Sequence, residues 1–154
     1  MAAVDAVAPV LRPVLLATSD WPCLRAALDA AGLPSGDLLL PGRRFFLFAL
    51  DGETACYGGL EGDGPEMLLR SVVVPPSARG RGAGRALEAE AARLGAVRLH
   101  LLTTTAAAFL HNLGYRPGER AAAPAAIAAT AQFTSLCPGT AAYLAKRTGP
   151  GMTG

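Results

Sequence analysis

The sequence predicts a single α/β domain of the α+β kind: a mixed, mostly antiparallel central sheet flanked by helices. Three observations predict it. Three apolar runs, "RFFLFAL", "ETACYGGLEG" and "EMLLRSVVV", follow one another, with Asp51-Gly52 and Asp63-Gly64 as punctuation. Asp-Gly suits the positive φ angles of a tight hairpin turn, so these runs read as a three-stranded antiparallel meander. The segments on either side carry apolar residues at helical spacing. Finally, the chain has 154 residues, 51% hydrophobic and 17% charged. That is enough to bury one core, and it is not the composition of a disordered chain.

Each element has its own signal. "PVLLAT" (13–18) reads as a first short strand, which leaves 1–12 as an N-terminal extension. Asp20 then caps a helix through "WPCLRAALDAAG", with Pro22 in its first turn and Gly32 at its end. "LPSGDLLLPG" is a linker into the meander. The meander's last strand stops at Pro75-Pro76, where the backbone loses its donors. From Gly82 to Leu94 the period changes: Ala83, Leu87, Ala91 and Leu94 form a helical stripe, with Arg85, Glu88 and Arg93 off it. In "AVRLHLL", Val97, Leu99 and Leu101 alternate with Arg98 and His100, so a fifth strand is expected with His100 on its polar side. "TTTAAAFLHNLGY" reads as a helix capped by a threonine and ended by Gly114. "YRPG" is a short sixth strand and "PAAIAAT" a helical turn or loop. "QFTSLCP" reads as the last strand and "GTAAYLAKR" as a final helix. The domain therefore runs over 13–147, with 148–154 as a flexible tail.

Composition removes several function classes. A net charge of +2 gives no broad basic surface for nucleic acid. Basic charge is local instead: Arg79, Arg81 and Arg85 fall close together. Cys23, Cys56 and Cys137 are widely spaced, so they suggest neither a disulfide framework nor a metal or arsenic site. No apolar run approaches the roughly 20 residues of a membrane helix, and the first residues lack a basic leader region. The expected setting is cytoplasmic, with reduced thiols.

The segment that carries chemistry is "RSVVVPPSARGRGAGRAL", residues 70–87. A glycine-rich loop opening a helix makes an anion site, because the first helical N–H groups lack partners and the helix dipole is positive there. Gly80, Gly82 and Gly84 let the backbone approach an oxygen closely. Arg79, Arg81 and Arg85 can add charge-assisted contacts. On the loop alone, an Arg/Gly-rich surface turn is an equal alternative. A Walker phosphate loop is excluded because no lysine follows the glycines. A dinucleotide fingerprint follows the first strand of a βαβ unit, and this loop follows a meander.

Arg79-x-x-Gly82-x-Gly84, after "SVVV" and Pro75, resembles the acyl-CoA signature of the GNAT N-acetyltransferases. The resemblance covers about residues 13–118 and includes "FLHNLGY", which is similar to that family's aromatic-rich segment ending in Leu-Gly-Phe. More narrowly, "RSVVV", "LHLLTTTA", "LGY" and "ATAQFTSLCP" resemble the branch encoded with arsenic-resistance operons. The resemblance implies a GNAT-like fold and acetyl-CoA as cosubstrate. It implies that Val72, Val73 and Val74 pair with the pantetheine arm through main-chain atoms. Residues 79–85 (Arg79, Gly80, Arg81, Gly82, Ala83, Gly84 and Arg85) would hold the diphosphate. The acceptor would be the primary amine of a small molecule, in arsenic or xenobiotic resistance, and a homodimer stays open.

Two departures from the family pattern matter. The tyrosine that often serves as general acid is replaced by Leu110, and the asparagine after the fifth strand by Thr103. Leu68 and Leu69 stand where some relatives have a catalytic glutamate. The catalytic acid and base are therefore unassigned, and transfer would rest on orientation, a backbone N–H of Val73 or Val74, and water. Arg70 and Thr103 are expected to meet the acceptor, Arg70 through an anionic group; an ion pair of Arg70 with Glu61 or Glu66 is the alternative. His100 and His111 are candidate bases and Tyr57 and Tyr115 candidate donors, with surface or strand positions for the histidines and packing for the tyrosines as the plainer readings; Arg43 and Arg44 read first as surface charge, with reach to the acceptor as the alternative. An acyl-CoA sensor without turnover and a protein N-acetyltransferase are the rival functions.

Overall fold

Three strands and the helices around them set the frame. A computed structural model describes residues 12–50, 53–62, 64–75, 82–104, 107–136 and 141–148. β1 (Arg12–Leu15) leads to α1 (Trp21–Ala30), then to the meander β2 (Arg43–Leu50), β3 (Glu53–Glu61) and β4 (Glu66–Val73). α2 (Ala83–Arg93), β5 (Arg98–Thr103), α3 (Ala107–Asn112), β6 (Arg116–Pro117), α4 (Ala125–Ala128) and β7 (Ala142–Arg147) follow. The seven strands form one sheet in the order β1-β2-β3-β4-β5-β7-β6. Every neighbouring pair is antiparallel except β4 and β5. That bears out the mixed, mostly antiparallel sheet.

The meander strands read as near-continuous apolar runs because both faces of the sheet are covered. On one face Phe46, Phe48, Leu60, Met67, Leu69, Leu99 and Leu101 pack with Ala83, Leu87 and Ala91 of α2. On the other, Phe45 packs with Leu24 and Leu28 of α1 and with Leu38 from the linker. Leu38 is fully buried, so the linker is part of the second core. Gly58 lets α2 sit down on the sheet: a Cβ there would lie 2.9 Å from Leu87 Cδ2.

The C-terminal elements correct the sequence reading. Residues expected as a last strand form a π-helical turn, Gln132–Leu136, while Cys137 and Pro138 lie outside the described residues. Those expected as a final helix form β7. The helical preference of its alanines is worth only a few tenths of a kcal/mol per residue. Against it stands an open edge of β5, which pairs with β7 in a six-residue register from Arg98↔Arg147 to Thr103↔Ala142. Tyr143 and Leu144 are buried by that pairing. Tertiary context outweighs propensity here.

Candidate active site

β4 and β5 make contact and then part. Their pairing covers Glu66↔Arg98, Met67↔Leu99 and Leu68↔His100. Beyond it β4 runs on to Val73 and β5 to Thr103 without a shared ladder, leaving a wedge-shaped gap between two parallel strands. β4 also carries an extra residue against β3. Gly59 pairs with Arg70 and Tyr57 with Val73, so two steps on β3 answer three on β4. Ser71 sits in this bulge with φ +59°, the only positive φ at a non-glycine among the described residues. A bulge with a residue held in the left-handed region re-aims the strand, and such strain clusters at functional sites.

Val72, Val73 and Val74 follow the bulge at the open end of the gap. Val72 is 40% exposed. Val73 packs toward α1 and Val74 toward the α2 core. α2 then opens with Gly82 at its N-cap, φ +91° and ψ 19°. Its first helical bond runs from the Ala86 N–H to the Gly82 carbonyl at 2.9 Å, so the amides of Ala83, Gly84 and Arg85 come before the first internal partner. A Cβ on Gly82 would meet nothing within 4 Å. Ala83 and Leu87 are buried and hold the helix in place, while Arg85 is exposed. Arg79, Gly80 and Arg81 lie outside the described residues.

The face carrying α1 holds two buried polar groups; of their contacts the sequence reading named one, the ion pair of Arg70 with Glu61, as its alternative for Arg70, and that pair forms. The first joins Asp37, Arg43, Glu61 and Arg70. Arg70 donates to Asp37 at 2.6 and 2.5 Å and to Glu61 at 2.9 Å, and its Nε donates to Ser71 Oγ at 3.2 Å. Arg43 bonds Asp37 at 3.0 Å and lies 3.3 Å from Glu61. The Arg70 side chain has 0% exposure. Its planar fork, expected to meet an acceptor's anionic group, is turned onto Asp37 and Glu61, and its Cζ lies 5.5 Å over the Phe45 ring. Burial pushes the Asp37 carboxyl up, but hydrogen bonds and charge from Arg70 and Arg43 outweigh it and hold the carboxyl below its ordinary value. Arg44 is half-buried at the start of β2.

The second group corrects the expected position of His100, which is fully buried rather than on a polar edge. Nε2 lies 2.5 Å from Glu66 Oε1, and Nδ1 lies 2.7 Å from the Tyr143 hydroxyl. A carboxylate only accepts, so Nε2 carries the proton and Nδ1 accepts from Tyr143. The imidazole and phenol rings stack at 5.8 Å with 6° between planes. Arg98 also binds Glu66, at 3.1 Å. Burial lowers the His100 pKa against the pull of Glu66. Burial also raises the Tyr143 phenol.

The remaining candidates fall apart. Leu110 is half-buried against the α2 core. Thr103 ends β5, partly buried and already engaged in an interaction. Tyr115 is buried and donates to Glu88 at 2.8 Å; burial first, and then the Glu88 charge, push its phenol far up. Tyr57 is half-buried and His111 exposed. Among the described residues no cluster of His, Cys, Asp and Glu could hold a metal, and no helix is long and apolar enough to cross a membrane. Tyr143 and Asp37 escape the sequence reading. Tyr143 lies in a segment that reads as a helix, and the linker containing Asp37 gives no hint of contact with β4, which lies 33 residues on.

Solved structures share this architecture. An N-acetylglutamate synthase from Neisseria gonorrhoeae, complexed with coenzyme A and N-acetyl-glutamate, matches with TM-score 0.71 and 18% identity over 94% of the chain. The chain spans only 36% of that protein. Rv2747 from Mycobacterium tuberculosis, in complex with CoA, matches with TM-score 0.64 and 19% identity, covering 91% of this chain and 99% of that one. An acetyltransferase from Thermus thermophilus gives TM-score 0.63 and 21% identity, covering 91% and 98%. At these identities the likeness is one of fold. No curated protein matches in sequence. The family described as "Acetyltransferase (GNAT) domain" matches residues 41–117, half of the 154. That span runs from the start of the meander, through the parting strands and α2, to β6, and by it the chain belongs to the GNAT acetyltransferase family.

Proposed function

We propose that this protein moves an acetyl group from acetyl-CoA to the primary amine of a small molecule. The observation that carries the reading is the end of the β4–β5 pairing at Leu68 and His100, together with the opening of α2 at Gly82, whose first amides precede the first internal helical bond. That combination suits a long anionic thioester: extended backbone for the arm, helical N–H groups for the diphosphate. Bound there, acetyl-CoA would supply an acetyl group activated as a thioester. Ala83, Gly84 and Arg85 would orient the diphosphate through backbone and charge, with Arg79, Gly80 and Arg81 ahead of them. Val72, Val73 and Val74 would hold the arm through main-chain atoms, with one of their N–H groups polarising the carbonyl. Thr103, at the end of β5, would border the acceptor.

α2 and α3 fill one face of the sheet, so the amine approaches from the gap or from the α1 face. The finer assignment, to arsenic or xenobiotic resistance, is supported only by the motifs of the sequence. Leu110 favours a second reading, an acyl-CoA sensor without turnover, because its side chain has no proton to give.

Calorimetry with acetyl-CoA and free-thiol release across a panel of small amines test both readings. Binding together with amine-dependent thiol release is expected. Binding without release under any amine would leave the sensor, and no binding would end both.

A further inference from the structure

Ser71 keeps a left-handed backbone, φ +59°, inside β4, where it is buried at 7% exposure. An L side chain disfavours that conformation, and it persists only where the surroundings over-determine it. One side chain reaches Ser71 to do so. Arg70 Nε donates to Ser71 Oγ at 3.2 Å. The other two nitrogens of that guanidinium are already committed, to Asp37 at 2.6 and 2.5 Å and to Glu61 at 2.9 Å. Asp37 is fixed in turn by Arg43 at 3.0 Å. Phe45 lies under the guanidinium at 5.5 Å, and Gly59 makes room for both: a Cβ there would stand 2.8 Å from the Phe45 ring and 3.2 Å from the Arg70 carbonyl. The fork of Arg70 is therefore a rigid strut between the linker, β3 and the bulge.

The bulge lies where β4 is otherwise least constrained. The last pair of β4 with β5 is Leu68↔His100, and Ser71 comes three residues later, directly ahead of Val72, Val73 and Val74. On the β5 side no ladder fixes the peptide planes that follow. On the β3 side the register resumes only at Tyr57↔Val73. The dihedral angles of Ser71 thus set the direction in which the next N–H groups point.

Resting on the acetyl-transfer reading above, we infer that Arg70 is a positioning residue for the reaction: its bond to Ser71 keeps the bulge left-handed, and the bulge aims the N–H groups of residues 72–74 at the thioester carbonyl. Asp37 and Glu61 serve the same end by fixing the guanidinium. In the transfer, the amine nitrogen bonds the thioester carbon, the carbon–sulfur bond breaks, and the proton lost by nitrogen reaches sulfur through water. Negative charge grows on the carbonyl oxygen on the way, and a donor lowers the barrier only if it already points there.

Glycine supplies the test, because it adopts positive φ without the side-chain penalty. Wild type is compared with Arg70→Lys, Ser71→Gly and the double variant, on the amine that wild type uses fastest. Arg70→Lys keeps the positive charge beside Asp37 and Glu61 and loses the fork that reaches Ser71. Its kcat for thiol release should fall about 5–30-fold, the factor by which an L residue resists the left-handed form. KM for acetyl-CoA should be little changed, since α2 is untouched. Ser71→Gly should keep wild-type kcat, and the double variant should match Ser71→Gly in kcat while its melting temperature stays lower. Recovered turnover without recovered stability separates positioning from folding. Arg70→Lys that folds and keeps wild-type kcat overturns the inference. So does a double variant as slow as Arg70→Lys, because Arg70 would then act independently of residue 71. If Arg70→Lys does not fold, Ser71→Ala, which removes only the hydroxyl, decides: a similar loss of kcat sustains the inference and an unchanged kcat overturns it. All these outcomes leave acetyl transfer standing. Wild type that releases no thiol with any amine overturns acetyl transfer itself, and the positioning role with it.

Discussion

Asp37 is one carboxylate shared by two buried arginines, and that makes it the residue on which the α1 face depends. The pair of Asp37 and Glu61 balances Arg43 and Arg70, so four charges sum to zero out of water. Such a group need not be worth more than an apolar core, but breaking one member strands a charge. Asp37→Asn keeps the volume and removes the balance, leaving two guanidiniums against Glu61. Urea unfolding should show a loss of about 3–5 kcal/mol. A variant as stable as wild type would mean that water already reaches the cluster. Half of this cluster is legible without coordinates: Glu61 is a foreseeable partner for Arg70, because neighbouring strands of a meander place them close. Asp37 is not, since its contact is made by a turn-rich linker with no periodic pattern to place it.

At the scale of elements, the meander, the first helix and α2 are legible because hairpin signals and helical stripes are local. β7 is not, because what makes it a strand is the free edge of β5, which no local pattern in "AAYLAKR" reports. The bulge at Ser71 is silent for the same reason. α2 offers the sharpest test at this scale. Gly82 sits with φ +91°, a conformation disfavoured for L side chains by about 1–2 kcal/mol. Its Cβ would point into open space, so crowding within the protein adds nothing. Gly82→Glu should therefore cost only about that strain in stability, while placing a negative charge at the mouth of the helix. Acetyl-CoA affinity measured by calorimetry should fall at least tenfold, with the melting temperature lowered by only a few degrees. Equal affinity would move the diphosphate to another part of the molecule.

For the molecule as a whole, the shifted groups act together on pH stability. His100 has its pKa lowered from an ordinary 6.5, chiefly by burial. As pH falls past that value the unfolded chain takes up the proton first, so the unfolded state binds more protons and stability declines. Glu66 and Asp37 follow. Burial alone would raise them, but Arg98 and His100 lower Glu66 from 4.5, and Arg70 and Arg43 lower Asp37 from 3.8. Their stabilisation is present above those values and drains away as pH drops through them. On the alkaline side, burial raises Cys56 from 9.0 and Tyr57 and Tyr143 from 10.0. There the unfolded chain loses protons first, and stability declines as pH rises past each ordinary value. Melting temperature against pH should therefore show a plateau between about 6.5 and 9, a shallow fall just below it and a steeper one under about 4.5. His100→Gln separates the first fall from the second. It removes the imidazole while leaving the Asp37 carboxylate and its arginines in place. The variant should be less stable at neutral pH yet flat between about pH 6.5 and 5, where wild type slopes. A wild-type curve flat through that interval would mean that His100 takes its proton as readily folded as unfolded, and that the buried imidazole is wetter than its surroundings make it.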